Sequence, residues 1–532
     1  MKVIPRLNNI LLVFFLISST AFLVWKVIWQ NLYIFSNSDL LFIPAFLNDF
    51  WEGHYNWREW NLPPSPYLFP DLFFSFLVSL LTQNLFISFL IYSISFSFLI
   101  VIGLTMIIHP MDEYFSFQRI LRVTTFFIAF WIILVSNYPE DLALFIFPSY
   151  HGSSFIFGLI FYRIIFQIDN INKIIAFILL SGLVISSDTQ IVYTFYIPFL
   201  LTSIFLKSAL PEKLYIKVFI YFVVSFVVGS FFLKLLGSIN IFSVPSIPVW
   251  KEIKMNIFQL KILENIRNIT PVVKVYFMEL YSDKILFFYL LIVSVPLNLY
   301  YAFKKTEVKT ELRFFSLYVL LVLFVSIFTQ MFFGIWGGAR YVWAIYFFPY
   351  VSILIYFGNS LSRMLTNGNY RKVEGMRKYV FLLSKDRIRS QLILFGIVII
   401  FLVLFIFMYL IKGRVELTVS QPYPPFVSCL DELKKKYDLT YGISDYWNAK
   451  HVSYLSKEKL FVNQVFVNLE KYNWINNRDW YKRDKENQSI HYHFILPERL
   501  DINRIKEKFG SDYKTEICEG REVFVFEKGF YY

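Results

Sequence analysis

At 57% hydrophobic, 21% aromatic and only 17% charged, this 532-residue chain is too apolar to be an ordinary soluble protein, which is about half apolar and about a quarter charged. Its formal net charge of +13 does not mark a nucleic-acid binder. Eight basic side chains between Arg363 and Arg389, opposed only by Glu374 and Asp386, form one local cluster inside a loop, the pattern of a cytoplasmic topology determinant, with anionic headgroup binding as the alternative.

In chain order, Lys2 and Arg6 precede an apolar run over 10–29 that is longer than a signal-peptide core and has no small-residue cleavage site after it. It is read as an uncleaved first span with a cytoplasmic N-terminus. Further runs near the ~20 residues a membrane helix needs lie at 84–108, 119–136, 151–167, 172–187, 189–206, 214–237, 284–303, 311–333, 340–358 and 391–412. The expected fold is therefore a polytopic α-helical membrane protein of about eleven transmembrane helices. The apolar part of 67–82 is too short to cross, and counting it would place the basic 359–390 loop outside. It is assigned to the outer surface as a re-entrant or interfacial helix.

The outer loops are 30–83, 137–151 and 238–284. In the first, Ser36-Asn37-Ser38-Asp39 is followed by a surface-seeking helix over about 40–51, then by an aromatic, proline-rich stretch containing Trp57, Pro63, Pro64 and Tyr67. Trp and Tyr there suit an interfacial belt or a sugar platform. Asp39 is either a general base at the membrane rim or a helix cap. The second loop presents Glu140 and Asp141, then His151 at the lip of a span. The tight turn at Ser186-Ser187-Asp188 puts another carboxylate at a helix end, functional or capping. Gly337-Gly338-Ala339-Arg340-Tyr341 opens a later span with a guanidinium suited to a phosphate, or to pairing with one of the carboxylates. No phosphate-loop motif occurs.

From about 413 the composition changes. Residues 414–532 hold 19 basic and 18 acidic side chains and alternating segments such as Glu522-Val523-Phe524-Val525-Phe526-Glu527. A small extracytoplasmic α/β domain is expected over 413–532, after a membrane domain over 1–412. Its two cysteines, Cys429 and Cys518, are a disulfide or two separate thiols, and their number and spacing fit no structural zinc site.

This layout resembles the GT-C integral-membrane glycosyltransferases, such as protein O-mannosyltransferases and lipid A aminoarabinose transferases. The resemblance rests on Asp39 after the first span, Leu62-Pro63-Pro64-Ser65-Pro66, the acidic second loop, and Arg340-Tyr341. It departs where Asn61-Leu62 stands in place of the Lys that often precedes the Pro-Pro stretch. The resemblance implies inverting transfer of a sugar from a polyprenyl-phosphate donor to an extracytoplasmic lipid, glycan or protein acceptor, in the cytoplasmic membrane of a prokaryote. Asp39 would be the base. Glu140 and Asp141 would be further catalytic carboxylates. Arg340 and Tyr341 would bind the donor phosphate. His151, Asp188, Tyr67 and Trp57 would serve the acceptor, and a divalent cation stays an open question. A lipid-linked glycan polymerase or ligase, a flippase, and a non-catalytic envelope assembly protein are the alternatives.

Overall fold

The computed structural model describes residues 38–63, 65–82, 84–108, 147–149, 151–210, 214–238, 285–304, 310–333, 347–353, 355–356, 423–484 and 487–532, with isolated helical positions at 18, 21–22, 278 and 281–282. The predicted spans at 119–136 and 391–412, most of 10–29 and of 340–358, and the loops 359–390 and 239–277 lie outside the described residues.

Helix α1 (Ser38–Glu52) carries Asp39 in its first turn, where a carboxylate faces the positive end of the helix dipole. It was expected to lie on a surface. Instead it is a wedge: Leu40 and Leu41 join the core of the membrane-type helices. Phe42, Ile43, Phe46 and Leu47 join a second core with Tyr446, Ile475 and Trp480 of the C-terminal region. A helix apolar nearly all round must be covered on more than one side. After the two-residue strand β1 (Trp60–Asn61) comes α2 (Leu68–Ser79). At twelve residues and ~1.5 Å rise each it is too short to span a bilayer, as the sequence predicted.

Next come α3 (Leu85–Ile108), α4 (Gly152–Gln167), α5 (Ile171–Ser187), α6 (Val192–Phe205), α7 (Leu214–Ser238), α8 (Ile285–Phe303) and α9 (Thr310–Phe333). Among the described residues, three stretches are by length and composition long and apolar enough to cross a membrane: Ile87–Ile107, Leu214–Ser238 and Thr310–Thr329. The predicted spans 151–167, 172–187, 189–206 and 284–303 form shorter apolar helices. Polar breaks shorten the middle pair. Asn170 caps α5 by accepting from the Lys173 N–H at 3.0 Å, and Asp188 sits at its far end. Buried hydroxyls inside these helices bond back to their own backbone four residues earlier, as Ser97, Thr105, Thr194, Thr202 and Ser203 do, so they need no water. Helices α5 and α7 meet backbone to backbone. A Cβ on Gly229 would stand 2.6 Å from the Gly182 carbonyl oxygen, so only glycine fits there.

The C-terminal region is an α/β layer structure. It comprises α10 (Pro425–Tyr437), β2 (Tyr441–Ser444), α11 (Tyr446–Leu455), β3 (Phe461–Gln464), β4 (Asn476–Asn477), β5 (His491–Ile495), α12 (Ile502–Phe509), β6 (Lys514–Cys518) and β7 (Arg521–Tyr531). The sheet order is β3-β2-β5-β7-β6, with β2 parallel to both neighbours and β7 antiparallel to β5 and β6. Alternation along β7 sends Val523 and Val525 to one core, beneath α10 and α11, and Phe524 and Phe526 to the other, with α12. Cys429 and Cys518 form a disulfide that ties α10 to the end of β6 across 89 residues of sequence. Replacing both by serine is expected to destabilise this region by about 4–5 kcal/mol on the loop-entropy relation. A thermal melt following the region's far-UV signal checks it, and an unchanged midpoint would refute the estimate.

Candidate functional site

Two polar clusters flank α1. The first is the seam where α1 meets α11. The Tyr446 hydroxyl donates to Asp39 Oδ1. The neighbouring Ser38 hydroxyl donates to the Tyr446 and Trp447 carbonyl oxygens, the latter at 3.3 Å. Asp39 is half-buried there. One turn beyond Tyr446, Lys450 is 1% exposed. Its Nζ donates to Gln464 Oε1 at 2.7 Å and lies 4.7 Å over the Tyr446 ring. Burial pulls the Lys450 ammonium down to about 7, against the opposing pull of the Asp39 charge. The seam thus pairs a carboxylate with a phenol and a desolvated amine from a distant part of the chain.

The second cluster lies where the segment before α2 meets the first turn of α4 and the α5–α6 turn. His151 Nδ1 stands 2.8 Å from Asp188 Oδ2, and Tyr67 Oη stands 2.9 Å from His151 Nε2. The tautomer that satisfies both contacts carries its proton on Nδ1, donates to Asp188, and accepts the Tyr67 hydroxyl proton at Nε2. Ser154 also donates to Asp188 Oδ2. Asp188 Oδ1 accepts from the Gln190 N–H at 3.1 Å, so Asp188 caps the following turn as well. Burial raises the Asp188 carboxyl, but His151 and these hydrogen bonds outweigh it and hold it below the ordinary range. Asp71 lies close by. Its Oδ1 accepts from Tyr92 Oη at 2.5 Å and from the Ser149 N–H at 3.3 Å, and burial pushes its carboxyl up to about 6.

Tyr67, His151 and Asp188 are each under 10% exposed. Their first mechanical effect is to pin three segments together. Removing His151 strands a buried carboxylate, so His151→Ala is expected to lower stability by about 3–5 kcal/mol. Tyr67→Phe leaves only one ring nitrogen unsatisfied, for about 1–3 kcal/mol. Thermal unfolding of the two variants in lipid nanodiscs checks the order, and a Tyr67→Phe loss equal to that of His151→Ala would contradict it.

The structure brings together three of the residues the sequence singled out, Tyr67, His151 and Asp188, and links them toward Asp39 through α1. Phe42, one turn after Asp39, lies 6.2 Å from the Tyr67 ring. Trp57 stands apart, edge-on to Phe46 and Phe50 with Arg58 over its ring. Glu140, Asp141, Arg340 and Tyr341 lie outside the described residues. Sequence reasoning missed Tyr446, Lys450 and Asp71. The only signal was a tyrosine and a lysine four apart on a helix capped by Asp445, whose side chain accepts from the Trp447 N–H. Among the described residues, no group of three His, Cys, Asp or Glu side chains is placed to hold a metal ion. No protein family, curated protein or solved structure matches the chain.

Proposed function

We propose that this chain is a GT-C-type membrane glycosyltransferase with about eleven spans, its α/β region outside the membrane, and Asp39 as the general base. The observation that carries the reading is the seam itself. A half-buried carboxylate in the first turn of a wedge helix is oriented by a phenol whose ring lies under a desolvated lysine, next to helices of membrane-spanning composition. The disulfide between Cys429 and Cys518 supports an oxidising, extracytoplasmic location for that region, and the basic charge of the 363–389 loop supports a cytoplasmic side for that loop.

In this reaction an acceptor hydroxyl oxygen attacks the anomeric carbon of a polyprenyl-phosphate sugar from the face opposite the phosphate. The new glycosidic bond forms as the bond to the phosphate oxygen breaks. The acceptor proton passes to Asp39, and polyprenyl phosphate leaves with inversion at the sugar. Arg340, with Tyr341, is assigned the donor phosphate on its charge and its place at the start of a span. Glu140 and Asp141 supply further carboxylates from the second outer loop. The Tyr67–His151–Asp188 network holds the floor on which the acceptor rests.

The test incubates the purified full chain in nanodiscs with a panel of polyprenyl-phosphate sugars and crude envelope acceptors, and follows free polyprenyl phosphate by mass spectrometry. Acceptor-dependent release from one donor is the expected result. Absence of release from every donor, with protein shown to be folded, would overturn the reading.

A further inference from the structure

A cavity of about 280 Å³ opens between α1, α2, the start of α3 and the end of α11. It adjoins the second polar cluster through Tyr92, whose hydroxyl donates to Asp71. Its wall is mixed: Asn48, Glu52, Ser75 and Ser88 bring polar atoms, and Trp51 and Tyr454 bring rings. Among the described residues, no hydrogen bond ties up the side chains of Asn48, Ser75 and Ser88, although all three are half-buried at the cavity wall. Trp51 is held in place: its indole N–H donates to Ser79 Oγ at 2.9 Å, and Phe76 stacks on it at 5.4 Å. Even so, it stays 40% exposed.

The chemistry of the wall selects a ligand class. Half-buried amide and hydroxyl groups without protein partners are waiting for hydrogen-bonding groups from elsewhere. The lining has one carboxylate and no Lys or Arg, which disfavours phosphates and other anions. An immobilised indole offers a flat apolar surface. The volume, about 280 Å³, lies just under the usual range of ligand pockets, which begins at about 300 Å³, and so suits a single small ring. A ligand with several neutral hydroxyls around a compact ring with an apolar face meets all four conditions.

We infer that this cavity is a binding site for a single neutral pyranose or furanose residue, held by Asn48, Glu52, Ser75 and Ser88 against Trp51. The binding of this sugar does not rest on the transferase reading. The cavity is closed on one side by Tyr454, so the site needs the α/β region in place.

The test measures binding alone, in phosphatidylcholine nanodiscs free of sugar-based detergent. Methyl hexosides and pentosides are titrated by saturation-transfer NMR against wild type, Asn48→Leu, Ser75→Leu and Ser88→Ala. At least one methyl glycoside is expected to bind wild type and to lose about tenfold or more in affinity in the leucine variants, since the hydrogen bonds go and the space is filled. Ser88→Ala adds no bulk, so it carries the test if a leucine variant fails to fold. The same sugar on an octyl chain distinguishes sources: tighter binding than the methyl glycoside indicates a lipid-borne sugar, equal binding a free glycan, and either supports the site. Failure of every glycoside to bind, or binding that is unchanged in all three cavity variants, overturns it.

Discussion

Asp39→Asn is expected to lose about 10²–10⁴-fold in transfer rate, the usual contribution of a positioned general base. The amide keeps an oxygen for the Tyr446 hydroxyl but cannot take the acceptor proton. The unfolding midpoint should therefore stay near wild type, which separates lost chemistry from lost structure. Tyr446→Phe is the companion variant. It leaves the base but removes the donor that orients it, and about a tenfold fall in kcat with little change in KM is expected for an oriented group set loose. Single-turnover release of polyprenyl phosphate measures both. Full activity in Asp39→Asn would remove Asp39 from the mechanism.

The largest expected effect on stability belongs to Asp49, on the same helix. Its Oδ2 accepts from Trp60 Nε1 at 2.7 Å, Asn477 Nδ2 at 2.7 Å and Trp480 Nε1 at 2.9 Å, and the carboxylate is 3% exposed. Trp60 belongs to β1, which pairs antiparallel with β4 beside Trp480. Asp49 is thus one of the acceptors that join the helical region to the α/β region. Asp49→Ala leaves three buried donors without it, at roughly 1–3 kcal/mol each, so a loss of about 3–6 kcal/mol is expected after partial relaxation. Limited proteolysis should then release the α/β region at temperatures where wild type resists. Resistance equal to wild type would show that Asp49 does not hold the joint.

The same carboxyl makes this joint pH-dependent. Burial pushes Asp49 up to about 7 despite the three hydrogen bonds. A carboxyl raised on folding binds its proton more tightly in the folded state. Its contribution is fully present below the unfolded value of 3.8, falls as pH rises, and is gone above about 7. The span corresponds to about 4 kcal/mol. The stability difference between wild type and Asp49→Asn should shift by that order between pH 4 and 7 and then level off. Lys450 acts in the opposite sense in a separate window. Its depressed ammonium weakens the fold as pH falls from its unfolded 10.5 toward 7.

Legibility followed the range of the interactions. The alternation Glu522–Glu527 announced β7, and the short apolar part of 67–82 announced a helix too short to cross. The break at Asp188 was visible as a polar residue between two apolar runs. What it does there was not, because His151 lies 37 residues away and Tyr67 a further 84 from His151. The surface role expected for α1 failed for a related reason. Its apolar residues read as membrane-seeking, whereas half of them are buried against a region some four hundred residues later.

The sequence by itself determined the local and the periodic: which stretches are apolar enough to leave water, which side of a strand is greasy, where a helix must stop, and where positive charge accumulates. Each depends on neighbours a few residues apart, so the chain order records it. Only the tertiary structure decided that Asp39 meets Tyr446, that Asp49 gathers two tryptophans and an asparagine, and that Cys429 finds Cys518. Those contacts join segments that become neighbours only once apolar faces have paid the entropy of closing very long loops, and no local pattern encodes which faces will meet.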